Sequence, residues 1–381
     1  MKIGRVYATF QTDLKYSEHY LAKELSKDGH LTTFITSDKY LQFWKKYLKN
    51  YQKQGTYTTD YFKIIRLAAF FPLEKVIFKN WFKLYGILFN SKFDIFHLYG
   101  LGNLSSILVL FLATLKGKSS PPIIISDHTN PITHKRDGAF SRVYYFFMRM
   151  FIAIFKSKIE KIITFSEVGT DILSKRFNLP KKFFTSIPLG YDHDRYKYIP
   201  KIKNSNHKFV IGFAGKIDQK KRIDFLIETL SEIDLIDKIK LIIVGIKKND
   251  DYCTYIESLG DNSNLEIEFR PFLETYKLAE FYNFVDLVIY PGSISITTIE
   301  ANGCGTPVII YKSIDKLESR VEDGRGLLFS TKNELLDSIK FYYNLYISKK
   351  ISNNSIYEVT KKKYAWSVIK DDYLKIYNTY V

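Results

Sequence analysis

Cysteine is scarce in this chain of 381 residues: there are two, Cys253 and Cys304. Two thiols exclude a disulfide framework and a four-thiolate zinc site, and they fit a reducing compartment. Tryptophan and methionine are nearly as rare, at three each. No apolar run approaches the ~20 residues that span a bilayer. The longest, near Ile107 to Leu115, reads as a buried helix. No secretory leader is visible, because Met1-Lys-Ile-Gly-Arg runs straight into a strand-like segment. The expectation is a cytoplasmic protein, soluble or peripheral. Hydrophobic residues, by contrast, make up 46% of the chain, which excludes a disordered polymer. The length allows two domains with separate cores. No internal repeat or low-complexity segment interrupts it.

Charge is uneven. Residues 1–200 hold 31 lysines and arginines against 15 aspartates and glutamates, an excess of 16, while the remaining residues carry an excess of only one. A basic half beside a near-neutral half implies that one domain alone meets an anionic surface. Lys45, Lys49 and Lys53 form a helical stripe beside Trp44, Tyr47, Leu48 and Tyr51. Lys75, Lys79 and Lys83 repeat the layout beside Ile77, Phe78, Trp81, Phe82, Tyr85 and Phe89. Arg142 to Phe151 is a third cationic and aromatic segment. Such stripes suit an anionic membrane interface, although ordinary amphipathic helices with solvated lysines have the same pattern. Zinc spacings, RNP-like aromatic strands and helix-turn-helix signals are missing, so nucleic acid is not expected as a partner.

The most informative stretch is Val285 to Ile309. An apolar strand, Leu287 to Tyr290, enters a turn at Pro291-Gly292. Ser293, Ser295, Thr297 and Thr298 follow where a helix would begin. A short helix carrying Glu300 ends in Gly303-Cys304-Gly305-Thr306-Pro307 before another apolar strand. A strand feeding a small-residue turn and a helix start is suited to phosphate, because free backbone N–H groups point at the anion. A carboxylate there suits a sugar diol. An ordinary strand-turn-helix of a doubly wound sheet is the competing reading.

Asp286, Pro291, Ser293, Glu300-Ala301, Gly305 and Pro307-Val308 resemble the donor-binding signature of retaining glycosyltransferases with the two-domain GT-B fold, in particular glycosyltransferase family 4. Ile211 to Ile227 resembles a second block of that family: a strand, a glycine and a cation (Gly215-Lys216, where arginine is usual), then Lys221 and an apolar helix. Leu241 to Gly245 reads as the next strand. One departure stands out. The family commonly has two glutamates eight positions apart, and Gly292 occupies the first position.

The resemblance extends into the first half. Ile3 to Phe10 reads as a strand, Tyr16 to Asp28 as a helix closed at Gly29-His30, and Leu31 to Ser37 as a second strand. Thr9 to Asp13 stands where the family often has a glycine pair. Phe93 to Tyr99 is a later strand. Pro122 to Asn130 resembles the strand-then-histidine segment that faces the cleft between the domains. Lys161 to Glu167 and Ile187 to Asp192 resemble two further blocks of the family, and they are expected to mark the last strands before a linker at 201–208. Asp192-His193-Asp194 spells a D-x-D metal motif in the wrong context. Tyr364 to Tyr380 resembles the family's closing helix, which crosses back to the N-terminal domain.

The resemblance implies an α/β chain of two Rossmann-like domains facing a central cleft. These are an acceptor-binding domain of residues 1–200 with about 365–381, and a donor-binding domain of 201–364. It implies a retaining hexosyltransferase with no metal and no cofactor, taking a nucleotide-diphosphate sugar as donor and a glycan or lipid-linked acceptor. Its place would be the inner face of the cell membrane. Catalysis falls to His128, Lys216 and Lys221, with His128 contacting the donor sugar. Donor binding falls to Gly215, Lys216, Lys221, Ser295, Thr297, Thr298 and Glu300, with Glu300 on the ribose. A nucleotide-sugar epimerase of the same fold and a non-catalytic nucleotide-sugar-binding protein stay open as alternatives.

Overall fold

The computed structural model describes residues 1–12, 17–40, 53–71, 76–129, 138–200, 208–247, 250–293, 295–313 and 317–381. Two compact units result, Met1–Gly190 with Trp366–Val381, and Tyr191–Ala365.

In the first unit the strands and helices follow in the order β1 (Lys2–Tyr7), α1 (Ser17–Lys27), β2 (Leu31–Ser37), β3 (Gly55–Thr58), β4 (Phe62–Leu67), β5 (Ala69–Phe70), β6 (Ile77–Phe78), α2 (Trp81–Asn90), β7 (Ile95–Tyr99), α3 (Leu104–Lys116), β8 (Ile123–Asp127), α4 (Ala139–Phe155), β9 (Ile159–Thr164), α5 (Glu167–Phe177) and β10 (Phe184–Ser186). Eight strands form one sheet, ordered β10-β9-β8-β7-β1-β2-β4-β3. All its pairs are parallel except β3 with β4, and Ile3 sits between Thr32 and Ile95. Strands such as Ile123–Asp127 are buried along their whole length, as parallel strands covered on both faces must be.

The second unit runs β11 (Phe209–Ala214), α6 (Ile223–Ser231), β12 (Ile239–Ile246), α7 (Asp251–Asp261), β13 (Ile267–Pro271), α8 (Thr275–Phe284), β14 (Leu287–Tyr290), α9 (Thr297–Gly303), β15 (Val308–Tyr311), β16 (Gly326–Phe329), α10 (Lys332–Ile347) and α11 (Asn353–Tyr364). Its six-stranded sheet is ordered β13-β12-β11-β14-β15-β16, parallel throughout. The chain moves from β11 outward to β12 and β13, then returns to the other side of β11 with β14. That reversal creates a crevice at the carboxyl ends of β11 and β14, where open α/β sheets hold ligands. Residues 191–200 sit with this unit because Tyr191 and Tyr196 are buried in its core.

The last helix, α12 (Trp366–Tyr380), belongs to the first unit. Trp366, Ile369, Tyr373 and Tyr377 recur on one helical face and pack with Ile3, Leu21 and Ile95.

Several expected elements differ. The single amphipathic helix expected over 75–89 is not formed. Ile77–Phe78 pairs as a strand with Ala69–Phe70, and the helix begins at Trp81. Asn80 sets that start, its side chain accepting from the Lys83 amide at 2.8 Å. Lys79 therefore precedes the helix and Lys83 lies in its first turn, so the two do not share a helical stripe; Lys75 lies outside the described residues. The stripe of Lys45 and Lys49 with Trp44, Tyr47, Leu48 and Tyr51 also lies outside them. Ile187 to Asp192 is not a strand. It follows the short β10, and Tyr191 makes an isolated bridge to Ala365.

Candidate active site

The two sequence blocks expected to bind the donor meet at the crevice of the second unit. β11 ends at Ala214, and Gly215 follows, its amide donating to the Val244 carbonyl at 3.1 Å. The chain then makes a short 3-10 turn, Gln219–Lys221, before α6. From the neighbouring strand β14, Pro291 to Ser293 lies directly on that turn. The Ser293 amide donates to the Lys220 carbonyl at 2.9 Å, and the Lys221 ammonium donates to the Ser293 carbonyl at 2.6 Å. Burial pushes the Lys221 ammonium down from the usual lysine range, against the opposing pull of Asp218. Lys216 differs: its side chain is 83% exposed, with Asp218 at 3.8 Å.

Gly292 explains the family departure. A Cβ at this position would stand 2.1 Å from the Lys220 carbonyl oxygen, closer than any side chain tolerates. The backbones of the two loops are so near that a glutamate at 292 cannot be accommodated without parting them.

The hydroxyl residues do not act alike. Ser295 and Thr297 bond to each other, Oγ to Oγ1, at 2.6 Å near the surface. Thr298 is buried and donates to the Ser295 carbonyl at 3.2 Å, so its hydroxyl serves the turn. α9 has only seven residues, which limits its dipole.

Glu300 is half-buried on α9. Burial raises its carboxyl to about 7, while a hydrogen bond from Tyr196 and the charge of Arg195 oppose that shift and Asp192 adds to it. A carboxyl poised near neutrality can accept from a diol or, protonated, donate to it. Sequence reasoning missed Tyr196 and Arg195. They follow the Asp192-His193-Asp194 run, whose Asp192 carbonyl accepts from the amides of both, and no spacing signalled a partner one hundred residues away. Among the described residues no cluster of three or more His, Cys, Asp or Glu could hold a metal ion.

Other signature residues shape the loop. Asp286 Oδ2 accepts from the Val210 amide at 3.0 Å, fixing β14 against β11. Gly305 has φ of 75°, left-handed backbone that favours glycine, and a Cβ there would press on the Asn353 carbonyl at 2.6 Å.

His128 lies in the other unit, just past β8. Its Nε2 is buried without a hydrogen-bond partner, 3.6 Å from Glu18 Oε1, and its ring meets the Phe165 ring edge-on at 3.8 Å. Burial lowers its pKa more than Glu18 and Asp127 raise it, so the imidazole is neutral at pH 7. Asp127 supports this segment, its Oδ1 accepting from the Thr129 amide at 2.9 Å and its Oδ2 from the Leu101 amide at 2.8 Å.

Comparison with known proteins agrees with this geometry. The model "Glycosyltransferase Family 4" matches residues 18–195, and the model "Glycosyl transferases group 1" matches residues 194–362. Each model covers a little less than half of the chain, and together they support a GT-B glycosyltransferase of the family 4 type. An uncharacterized glycosyltransferase of Methanocaldococcus jannaschii is 24% identical over 236 residues, 59% of each protein. The chain thus matches less than two thirds of that relative's length. Among solved structures, sucrose-phosphate synthase from Thermosynechococcus elongatus superposes with a TM-score of 0.68 at 15% identity, covering 99% of this chain and 98% of that one. The Anabaena protein Alr3699/HepE in complex with UDP gives a TM-score of 0.71 at 15% identity over the full length of both, and it is also known in complex with UDP-glucose. The Lys221–Ser293 contact and Glu300 lie where the two signature blocks converge. Among the described residues no helix is long and apolar enough to cross a membrane.

Proposed function

We propose that the chain transfers a hexose from a nucleotide-diphosphate sugar to a glycan or lipid-linked acceptor, with retention and without a metal. One observation carries this reading: the Gly215–Lys221 turn and the Pro291–Ser293 turn are joined at the reversal point of the second sheet, with a lysine and a half-buried carboxyl beside them. Negative charge develops on the diphosphate as the glycosidic bond breaks. Lys221, held in place, and Lys216, free to swing, are the cations that receive it. Preorganised groups of this kind contribute ~10²–10³ each in rate. Glu300 takes the ribose hydroxyls, and His128 contacts the sugar being transferred. The Anabaena complexes with UDP and UDP-glucose support a uridine nucleotide as the first donor to test. An anionic membrane at the cytoplasmic face is the proposed location of the acceptor, supported by the basic first half.

Gly292 in place of the family's first glutamate favours a second reading, a nucleotide-sugar binder without turnover. Calorimetry with UDP, ADP and GDP, followed by product analysis with the matching nucleotide sugars, separates the two. Transfer to an acceptor with retained anomeric configuration, unaffected by EDTA, is expected. Binding without turnover for every donor and acceptor tried, or an altered free nucleotide sugar, overturns the proposal.

A further inference from the structure

Helix α4 is apolar on two faces. Met148 and Ile152 are buried against the first unit's core. Phe140, Val143, Phe146, Phe147, Met150 and Ile154 are exposed, with Phe140, Phe146 and Ile154 at 63%, 60% and 63%. At the helical repeat of 100° per residue these six fall within an arc of about 120°, opposite the buried pair. The patch continues onto α3, where Leu115 and Phe111 are exposed and the Phe111 ring lies 6.3 Å from that of Phe155. A contiguous apolar face of this kind marks an interaction surface.

Charge selects the occupant. From Ala139 to Lys158 there is no aspartate or glutamate, while Arg142, Arg149, Lys156 and Lys158 are cationic. Arg142 and Arg149 are exposed along one border of the apolar arc, and Lys156 is exposed just beyond the last turn. A second copy docked on this face would oppose these cations with themselves. An anionic lipid surface meets both features: acyl chains take the phenylalanines and headgroups take the arginines. At 17 residues the helix is too short to cross and long enough to lie in the interface.

We infer that α4 is a membrane-insertion helix, lying in the plane of an anionic leaflet with Phe140, Phe146 and Ile154 below the headgroups. This rests on the membrane reading above and replaces its lysine stripes with apolar insertion. It does not depend on the transfer reaction. The test is co-sedimentation with vesicles of phosphatidylglycerol and phosphatidylcholine in equal parts, comparing wild type with Phe146→Ser/Ile154→Ser. The double variant should partition ~10-fold or more weakly, since each lost apolar side chain contributes a substantial part of the transfer energy. Its affinity for UDP should be unchanged. Part of the wild-type partition should survive high salt, which screens only the cations, and Phe146→Trp should show a blue-shifted emission with vesicles.

If wild type sediments and the double variant sediments equally, the insertion helix is wrong and a purely electrostatic membrane contact stands. If wild type ignores the vesicles at low salt, both fall. If wild type is a dimer in solution that the double variant dissociates, the face serves self-association and the inference is overturned.

Discussion

Lys221 spends its ammonium on the Ser293 carbonyl, 2.6 Å away, and so ties the turn after β11 to the turn after β14. The cation assigned to the diphosphate is therefore also a structural clasp. Lys221→Ala should lower turnover by ~10²-fold through loss of leaving-group stabilisation. It should also lower the melting temperature by a few degrees, because a half-buried hydrogen bond to a charged group contributes about 1.5–3 kcal/mol. Lys216→Ala, at an exposed position, should reduce turnover without moving the melt. Rate assays paired with circular-dichroism melts read both, and a Lys221→Ala variant with wild-type turnover removes the lysine from the chemistry.

Gly292 gives a second test. The family's first glutamate cannot be restored here, because the first side-chain carbon would stand 2.1 Å from the Lys220 carbonyl oxygen. Gly292→Ala should part the two loops at a cost of about 1–3 kcal/mol, as overpacking does. UDP affinity should fall ~10-fold or more. A Gly292→Glu variant with raised turnover would show that the loop opens readily and that the close contact is incidental.

Much of this was legible in the sequence, the strands through periodicity and the crevice through the family resemblance. Buried parallel strands such as Ile123–Asp127 and Leu287–Tyr290 read as continuous apolar runs, and the signature around Glu300 located the crevice before the sheet order did. The arrangement of 75–89 was not legible. Its aromatics and lysines satisfy helical spacing, yet Asn80 caps a helix that starts later, and Ile77–Phe78 pairs antiparallel with Ala69–Phe70. A local cap outweighed the pattern. The Glu300 partners Tyr196 and Arg195 were hidden for another reason: they approach from a distant segment, and a tertiary contact of that kind leaves no local trace.

Glu300 predicts a pH dependence. Its carboxyl, ordinarily near 4.5, is raised to about 7 by burial. The folded chain holds more protons at this site than the unfolded chain between those values, so the stability it contributes is lost as pH rises through that window. Nucleotide affinity should move the other way, since the ionised form accepts better from ribose hydroxyls. UDP titrations from pH 6 to pH 8 should show affinity rising with pH in wild type and a flat, weaker profile in Glu300→Gln. Equal profiles would assign Glu300 a purely structural role.

The final prediction concerns how α12 is held. Arg5 Nη2 lies 3.2 Å from His97 Nδ1, the Tyr377 hydroxyl 2.6 Å from the same nitrogen, and Ser126 Oγ 2.6 Å from Nε2. A guanidinium only donates, so Nδ1 accepts and the proton sits on Nε2, donated to Ser126. Burial first, then the Arg5 charge, hold His97 well below its usual 6.5. A histidine with a depressed folded pKa contributes stability above about 6.5 that is lost as pH falls below it, because only the unfolded chain takes up the proton readily. Trp81 and Trp366 lie in this unit and the sequence has no tryptophan between 191 and 365, so tryptophan fluorescence does not report on the other unit. The fluorescence-detected midpoint should drop between pH 7 and pH 5 in wild type and drop less in His97→Gln. Tyr377→Phe, which deletes one hydroxyl and keeps the ring, should cost about 1 kcal/mol at pH 7. An acid response identical in wild type and His97→Gln would mean that other groups set the pH limit of this unit.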